Sequence, residues 1–282
     1  KLSFLFLVSG CSNITNKIIF GFQMEFFPDF IKKSFPVNSI QKDINFSKIN
    51  EEKNNLNYRK SNLILINDGW INNINFSDFK DISINLYKKM DSRTKNYLDS
   101  FPSNKKNKLF PIGLVPYAVV VKNNKKLKLD KEKSWDFLLS DHLKGRIILP
   151  NSTRLIISLA KRIKTNDSLK KLVEQVNIYD DKNALDWILS KNEAIAIMPL
   201  TQCQKVIKID STISIFFPDY GVPLSWYFAL VKNSVSEEIL IEWISSLDNP
   251  IAVRKLIAQG WFLPLDSEFI QNSYLESEII KR

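Results

Sequence analysis

The chain has 282 residues, 44% of them hydrophobic, 12% aromatic and 25% charged, enough to bury one large or two medium α/β cores. Its seven Gly, single His and two Cys argue against a Gly-rich phosphate loop, a disulfide framework, a zinc cluster, His-based catalysis and a His-rich metal site. The formal charge of +10 would draw nucleic acid or an anionic membrane if it were clustered, but Lys and Asn are scattered, as on solvated faces, so no nucleic-acid partner is expected.

Lys1 precedes the apolar run Leu2, Phe4, Leu5, Phe6, Leu7 and Val8, and Ser9, Gly10 and Cys11 follow. A basic residue, a short apolar run and small residues form a secretory signal, and the run is too short to span a bilayer. Val8-Ser9-Gly10-Cys11 resembles a bacterial lipobox, which implies lipidation of Cys11 and a membrane anchor. The alternative is a buried first strand that ends in a free Cys. Residues 1–11 are set aside as a signal segment.

Lys17–Phe22 reads as the first strand and Glu25–Ser34 as a helix with Phe26, Phe27, Phe30 and Ile31 on one stripe. Gln41–Arg59 is polar and poorly periodic and reads as a loop-rich connection with one short element. Asn62–Asn67 is a buried strand leading into Asp68-Gly69-Trp70. Ser92–Ser100 reads as a helix, Pro116–Lys122 as a strand and Asn123–Lys131 as a basic surface turn.

Ser134–Arg154 (SWDFLLSDHLKGRIILPNSTR) packs several signals together. An amphipathic helix with Trp135, Phe137, Leu138, Leu139 and Leu143 is expected first, with His142 on its exposed face. Gly145 then turns the chain, and Ile147–Leu149 is a strand covered on both faces. After Pro150, one of Asn151, Ser152 and Thr153 caps a helix whose inner face is Leu155, Ile156, Leu159, Ala160 and Ile163. Backbone N–H groups and small hydroxyls thus gather at the carboxyl end of a strand, where open α/β sheets bind ligands.

Ser168–Val176 and Asp181–Ser190 have helical spacing, and Glu193–Met198, Ile213–Phe217 and Trp226–Val231 read as strands. Ser236 caps a helix through Leu247. Asn249-Pro250 stops one helix and starts the next, and Gly260 ends that one in the left-handed region.

Three segments carry a family resemblance: Ser134–Arg154, Leu109–Val121 (LFPIGLVPYAVVV) and Phe216–Lys232 (FFPDYGVPLSWYFALVK). They resemble extracellular solute-binding proteins of ABC importers, above all the spermidine/putrescine-binding type, and Glu238–Pro264 resembles the helix pair that closes such proteins. The resemblance implies an α/β, bilobal periplasmic-binding-protein type II fold, with two α/β lobes joined by crossing strands near Val115–Tyr117 and Gly221–Trp226. Lobe I would comprise 12–115 plus 227–282, and lobe II 116–226. It further implies a monomer without cofactor or catalysis, lipid-anchored in the periplasm or on the outer face of the cell membrane. Such a protein delivers a small-molecule ligand to ABC permease subunits by hinge closure of the lobes.

Loops at strand ends then supply the ligand contacts. The candidates are Glu25 beside Gln23 and Met24; Asp68, Gly69 and Trp70; Tyr117 beside Pro116; Ser152, Thr153 and Arg154 beside Asn151; and Trp226 and Tyr227 beside Tyr220. Asp219 and Thr201 complete the set. A polyamine needs carboxylates for its ammonium groups and aromatic walls for its methylenes, which Asp68, Glu25 and Asp219 with Trp70 and Trp226 would offer. The chain departs from the polyamine pattern at Met198-Pro199-Leu200-Thr201-Gln202, where a Trp and an acid are usual. Ferric-iron binders use a tyrosine pair, and this chain has no adjacent one. Arg154 at a helix start suits a carboxylate or another anion instead. Two other classes stand beside transport: a cleft enzyme using Cys203 as nucleophile, and a lipoprotein that keeps the fold without a ligand site.

Overall fold

In the computed structural model the described residues are 17–24, 27–44, 46, 60–123, 134–180, 183–191 and 194–266, with the backbone alone at 204–208. The signal segment with Cys11, Glu25 and the stretch 47–59 lie outside them. Among the described residues nine strands carry the architecture: β1 (Ile18–Phe22), β2 (Ser39–Asp43), β3 (Leu63–Asn67), β4 (Phe110–Lys122), β5 (Ile147–Leu149), β6 (Val176–Tyr179), β7 (Ile195–Pro199), β8 (Ile213–Phe216) and β9 (Leu224–Val231).

The strands run β2-β1-β3-β9-β4-β7-β5-β6, with β8 also on β4. The long β4 serves two sheets in succession. Its residues Phe110–Pro116 pair antiparallel with β9. Its residues Tyr117–Val121 pair with β7, and Val119–Lys122 with β8. β1 lies parallel to β2 and β3 on one side, and β5 parallel to β6 and β7 on the other. The result is two α/β lobes on one shared strand, each with helices around its sheet.

β3, β5 and β7 are buried on both faces, which explains their unbroken apolar runs. In the first lobe an aromatic cluster fills the space between sheet and helices. Phe20 contacts Phe35 and Trp243, and Phe27 contacts Phe22, Tyr227 and Trp261, with ring centroids 4.4–5.7 Å apart. Trp261 also donates from Nε1 to the Ile112 carbonyl (3.1 Å). It packs so close to Gly113 that a Cβ there would lie 2.0 Å from its ring.

Several expectations meet the structure directly. Gly145 and Gly260 both have φ of +75°. Asn249 caps the helix Pro250–Ala258 by accepting from Ile251 and Ala252 N–H, with Pro250 in its first turn. Ser236 Oγ accepts from Glu238 N–H at 3.2 Å, but the helix Glu238–Leu247 has Glu237 at its N-cap position with no side-chain cap bond, so the expected Ser236 cap is displaced by one residue. Others are corrected. Trp135–Leu139 and Asp141–Leu143 form two short 3₁₀ helices where one amphipathic α-helix was expected. Ser134 and Ser140 both have extended backbone there, so the expected helix is broken at Ser140 into two short turns. His142 is exposed in the second of these turns. Ser39–Asp43 is an edge strand where loop was expected to begin; its charged residues keep an exposed edge from pairing elsewhere.

Candidate functional site

The two sheets hand over at Pro116 and Tyr117, and a cavity of about 400 Å³ opens there between the lobes. That volume suits a small solute. From the first lobe, Gln23 follows β1. Asn67 ends β3, and its side chain accepts from Gly69 N–H at 3.0 Å. This cap starts the 3₁₀ helix Asp68–Asn73 and brings Gly69 and Trp70 to the cavity wall. From the second lobe come Asn151, Ser152, Thr153, Arg154 and Leu155, in the turn after β5 and the helix Thr153–Ala160. Tyr117 of β4 and Ser225 and Tyr227 of β9 complete the lining. Tyr227 is held from behind by Phe27 and Trp261, with centroids at 5.2 and 4.7 Å.

Arg154 ties this site together. Its Nη2 lies 2.9 Å from Asp68 Oδ1, across the lobes, and its Nη1 donates to the Leu224 carbonyl at 3.0 Å. The Asp68 side chain is only 1% exposed, against 37% for Arg154. Tyr97 OH donates to Asp68 Oδ2 (3.0 Å), and Ser225 Oγ donates to Oδ1 (3.5 Å). The backbone N–H of Trp226 also reaches this carboxylate. Burial pushes the Asp68 carboxyl above its ordinary range, and the Arg154 charge opposes that rise without cancelling it. The Tyr97 phenol is pushed up by burial first and by the Asp68 charge second.

The second crossing is gripped carbonyl by carbonyl. Gly221 accepts from Trp135 Nε1 (2.7 Å) and Val222 from Arg162 Nη2 (2.9 Å). Pro223 accepts from Tyr117 N–H (2.9 Å) and Leu224 from Arg154. Trp135, Arg162 and Arg154 all belong to the half of the fold built on β5–β8, and Tyr117 to the shared β4. Three of the four successive carbonyls thus anchor the crossing to that half, and the fourth to β4, until β9 enters the other sheet.

Of the residues singled out in the sequence, Gly69, Trp70, Tyr117, Ser152, Thr153, Arg154 and Tyr227 line this cavity together, with Gln23 and Asn151 beside them. The others do not. Asp68 lies buried beside it, engaged as above. Trp226 is 4% exposed and stacks on Tyr97 with centroids 4.5 Å apart. Thr201 lies in the first turn of the helix Leu200–Ile209, its backbone close against Gly260. Asp219 is exposed in the second crossing, and Glu25 is outside the described residues. Sequence reasoning missed Tyr97, Asn67 and Ser225. Only the helical phase of Tyr97 in Ser92–Leu98 hinted at an inward ring.

Cys203 is fully buried, its thiol donates to the Pro199 carbonyl (3.4 Å), and burial pushes its pKa up to about 12. The thiolate that the cleft-enzyme alternative requires is therefore not formed near neutral pH. Among the described residues no group of three or more acids, His or Cys is placed to hold a metal ion, and no helix is long and apolar enough to cross a membrane.

No family model and no curated protein sequence matches the chain. Solved structures do match its fold. The spermidine/putrescine ABC transporter substrate-binding protein PotD of Streptococcus pneumoniae is 13% identical, with a TM-score of 0.64 over 94% of this chain and 90% of its own. The ferric binding protein of Campylobacter jejuni is 14% identical, with a TM-score of 0.64 over 91% of this chain and 90% of its own. The TpPotD lipoprotein of Treponema pallidum is 11% identical, with a TM-score of 0.61 over 86% of this chain and 83% of its own. The chain thus has the bilobal type II periplasmic-binding-protein fold. Its likeness to ABC-transporter substrate-binding proteins is one of fold.

Proposed function

We propose that this chain is the solute-binding component of an ABC importer. It takes a small charged solute into the cavity between its lobes and presents the closed form to the permease, without chemistry. The observation that carries this reading is the cavity itself: about 400 Å³, at the meeting of the two sheets, and lined from both lobes. A ligand there touches both lobes and so favours the closed arrangement over the open one, the differential binding that lobe closure requires.

The proposal includes a division of the chain into lobe I (12–115 plus 227–282) and lobe II (116–226). The change of β4 pairing partner at Pro116 and Tyr117 supports it. It also includes lipidation at Cys11, which would hold a monomer in the periplasm or on the outer face of the cell membrane. The Val8–Cys11 pattern supports that part. Spermidine and putrescine enter only through the similar proteins.

A thermal-shift panel of polyamines, amino acids, carboxylates, sugars and Fe(III) tests the reading. A ligand confined to the folded state adds about 2.7 kcal/mol at a hundredfold excess over its Kd. The reading expects a saturable rise in Tm for one compound class, reduced or abolished by Ser152→Trp, which adds bulk at the cavity wall. A flat response across the panel counts against it.

A further inference from the structure

We infer that the solute carries a carboxylate, which Arg154 takes from the cavity side, and that Asp68 is the standing counter-ion of Arg154. This inference rests on the reading of the cavity as a solute site.

Two observations on charge lead there. Among the described lining residues, Arg154 is the only charged side chain. The acid expected to hold an ammonium, Asp68, has its acceptor capacity filled. A carboxylate offers about four lone-pair sites, and Asp68 receives Arg154, Ser225, Tyr97 and the Trp226 N–H while only 1% exposed. An ammonium group in the cavity would find no free carboxylate among the described residues and would meet the guanidinium charge instead.

Arg154 itself has capacity to spare. A guanidinium presents five N–H donors in a planar fork. Nη1 gives one N–H to Leu224 and Nη2 one to Asp68, which leaves each terminal nitrogen a second N–H; Nε has no hydrogen-bond partner among the described residues but is itself buried from solvent. The side chain is 37% exposed and lines the cavity. The remaining N–H groups of the two terminal nitrogens can serve a second carboxylate beside Asp68. Trp70 and Tyr117 give an apolar wall for the remainder of such a solute.

Isothermal titration of the chain from Ser12 onward tests this, with succinate, glutamate and acetate against inorganic phosphate, putrescine, spermidine and glucose. A carboxylate is expected to bind, and Arg154→Lys, which keeps the charge but loses the fork, is expected to weaken it about tenfold or more. Asp68→Asn, which removes the counter-ion and keeps the shape, is expected to tighten it severalfold. Folding of both variants is checked by circular dichroism. A polyamine site built on Asp68 predicts the reverse, with polyamine binding lost in Asp68→Asn. Binding of putrescine, spermidine, glucose or phosphate without any carboxylate overturns the inference and leaves the solute-binding reading standing. Carboxylate binding unchanged in Arg154→Lys also overturns it. Binding of nothing in the panel overturns both.

Discussion

Arg154 and Asp68, 86 positions apart in sequence, meet at 2.9 Å across the two lobes. One is half exposed at a helix start and the other is buried at the end of β3. Because Arg154 also holds the Leu224 carbonyl, this single side chain links the second crossing to the far lobe. A double-mutant cycle measures the link. Arg154→Met leaves a buried carboxylate without its cation; the full penalty for such a loss is about 3–5 kcal/mol, and the exposure of Arg154 reduces it to roughly 2 kcal/mol. Asp68→Asn with Arg154→Met should destabilise less than the sum of the singles, with a coupling of about 1 kcal/mol or more by urea denaturation. Additive effects would mean that the pair is not coupled.

Removing the Tyr97 hydroxyl isolates another part of the same network. Tyr97→Phe keeps the stacking on Trp226 but deletes a hydrogen bond to a charged, buried acceptor. A loss of about 1.5–3 kcal/mol follows, read as a lower urea midpoint with unchanged slope. A loss below 0.5 kcal/mol, on the order of an ordinary surface change, would mean that Asp68 does not rely on this phenol.

Asp68 also gives stability a particular pH dependence. Its carboxyl lies above the usual 3.8 in the folded chain because burial outweighs Arg154. The folded state therefore holds this proton more tightly than the unfolded state does. The Asp68 contribution is complete below pH 3.8 and is lost as pH rises through the folded value. The stability of the wild-type chain minus that of Asp68→Asn should fall as pH rises from the acid side. A difference that grows with pH would show that Arg154 dominates instead.

Cys203 is the only thiol in a chain that starts at Ser12, and burial holds its pKa at about 12. Iodoacetamide at pH 8 should leave it unlabelled in the native protein and label it fully in urea, by mass spectrometry. Rapid native labelling would restore the cleft-enzyme alternative.

Gly113 tests the packing behind the site. A Cβ there would overlap the Trp261 ring, and Trp261 supports Tyr227 in the cavity wall. Gly113→Ala should destabilise by about 1–3 kcal/mol or more, seen as a lower Tm. An unchanged Tm would mean that the indole moves aside freely.

Most of the strands were legible because burial on both faces leaves unbroken apolar runs such as Leu63–Ile66 and Ile195–Met198. The Asp68–Trp70 and Ser152–Arg154 segments were legible for a similar reason: strand ends and helix starts have a local chemistry. The first half of β4 was hidden by Pro111, Gly113 and Pro116, which read as breakers. Its ladder accommodates Pro111 and Gly113 with a register irregularity, and Pro116 sits where the strand changes sheets. The role of Asp68 was hidden because its partners Tyr97, Arg154 and Ser225 come from three distant segments. An acid that holds an internal cation and one that awaits a ligand have the same local sequence.

The most direct test of the central claim is native mass spectrometry of the chain from Ser12 onward, after incubation with a pooled small-metabolite extract. The account predicts one small solute per chain, released on unfolding and depleted or absent in Ser152→Trp, whose indole crowds the cavity wall. No retained solute, or equal retention by Ser152→Trp, would contradict it.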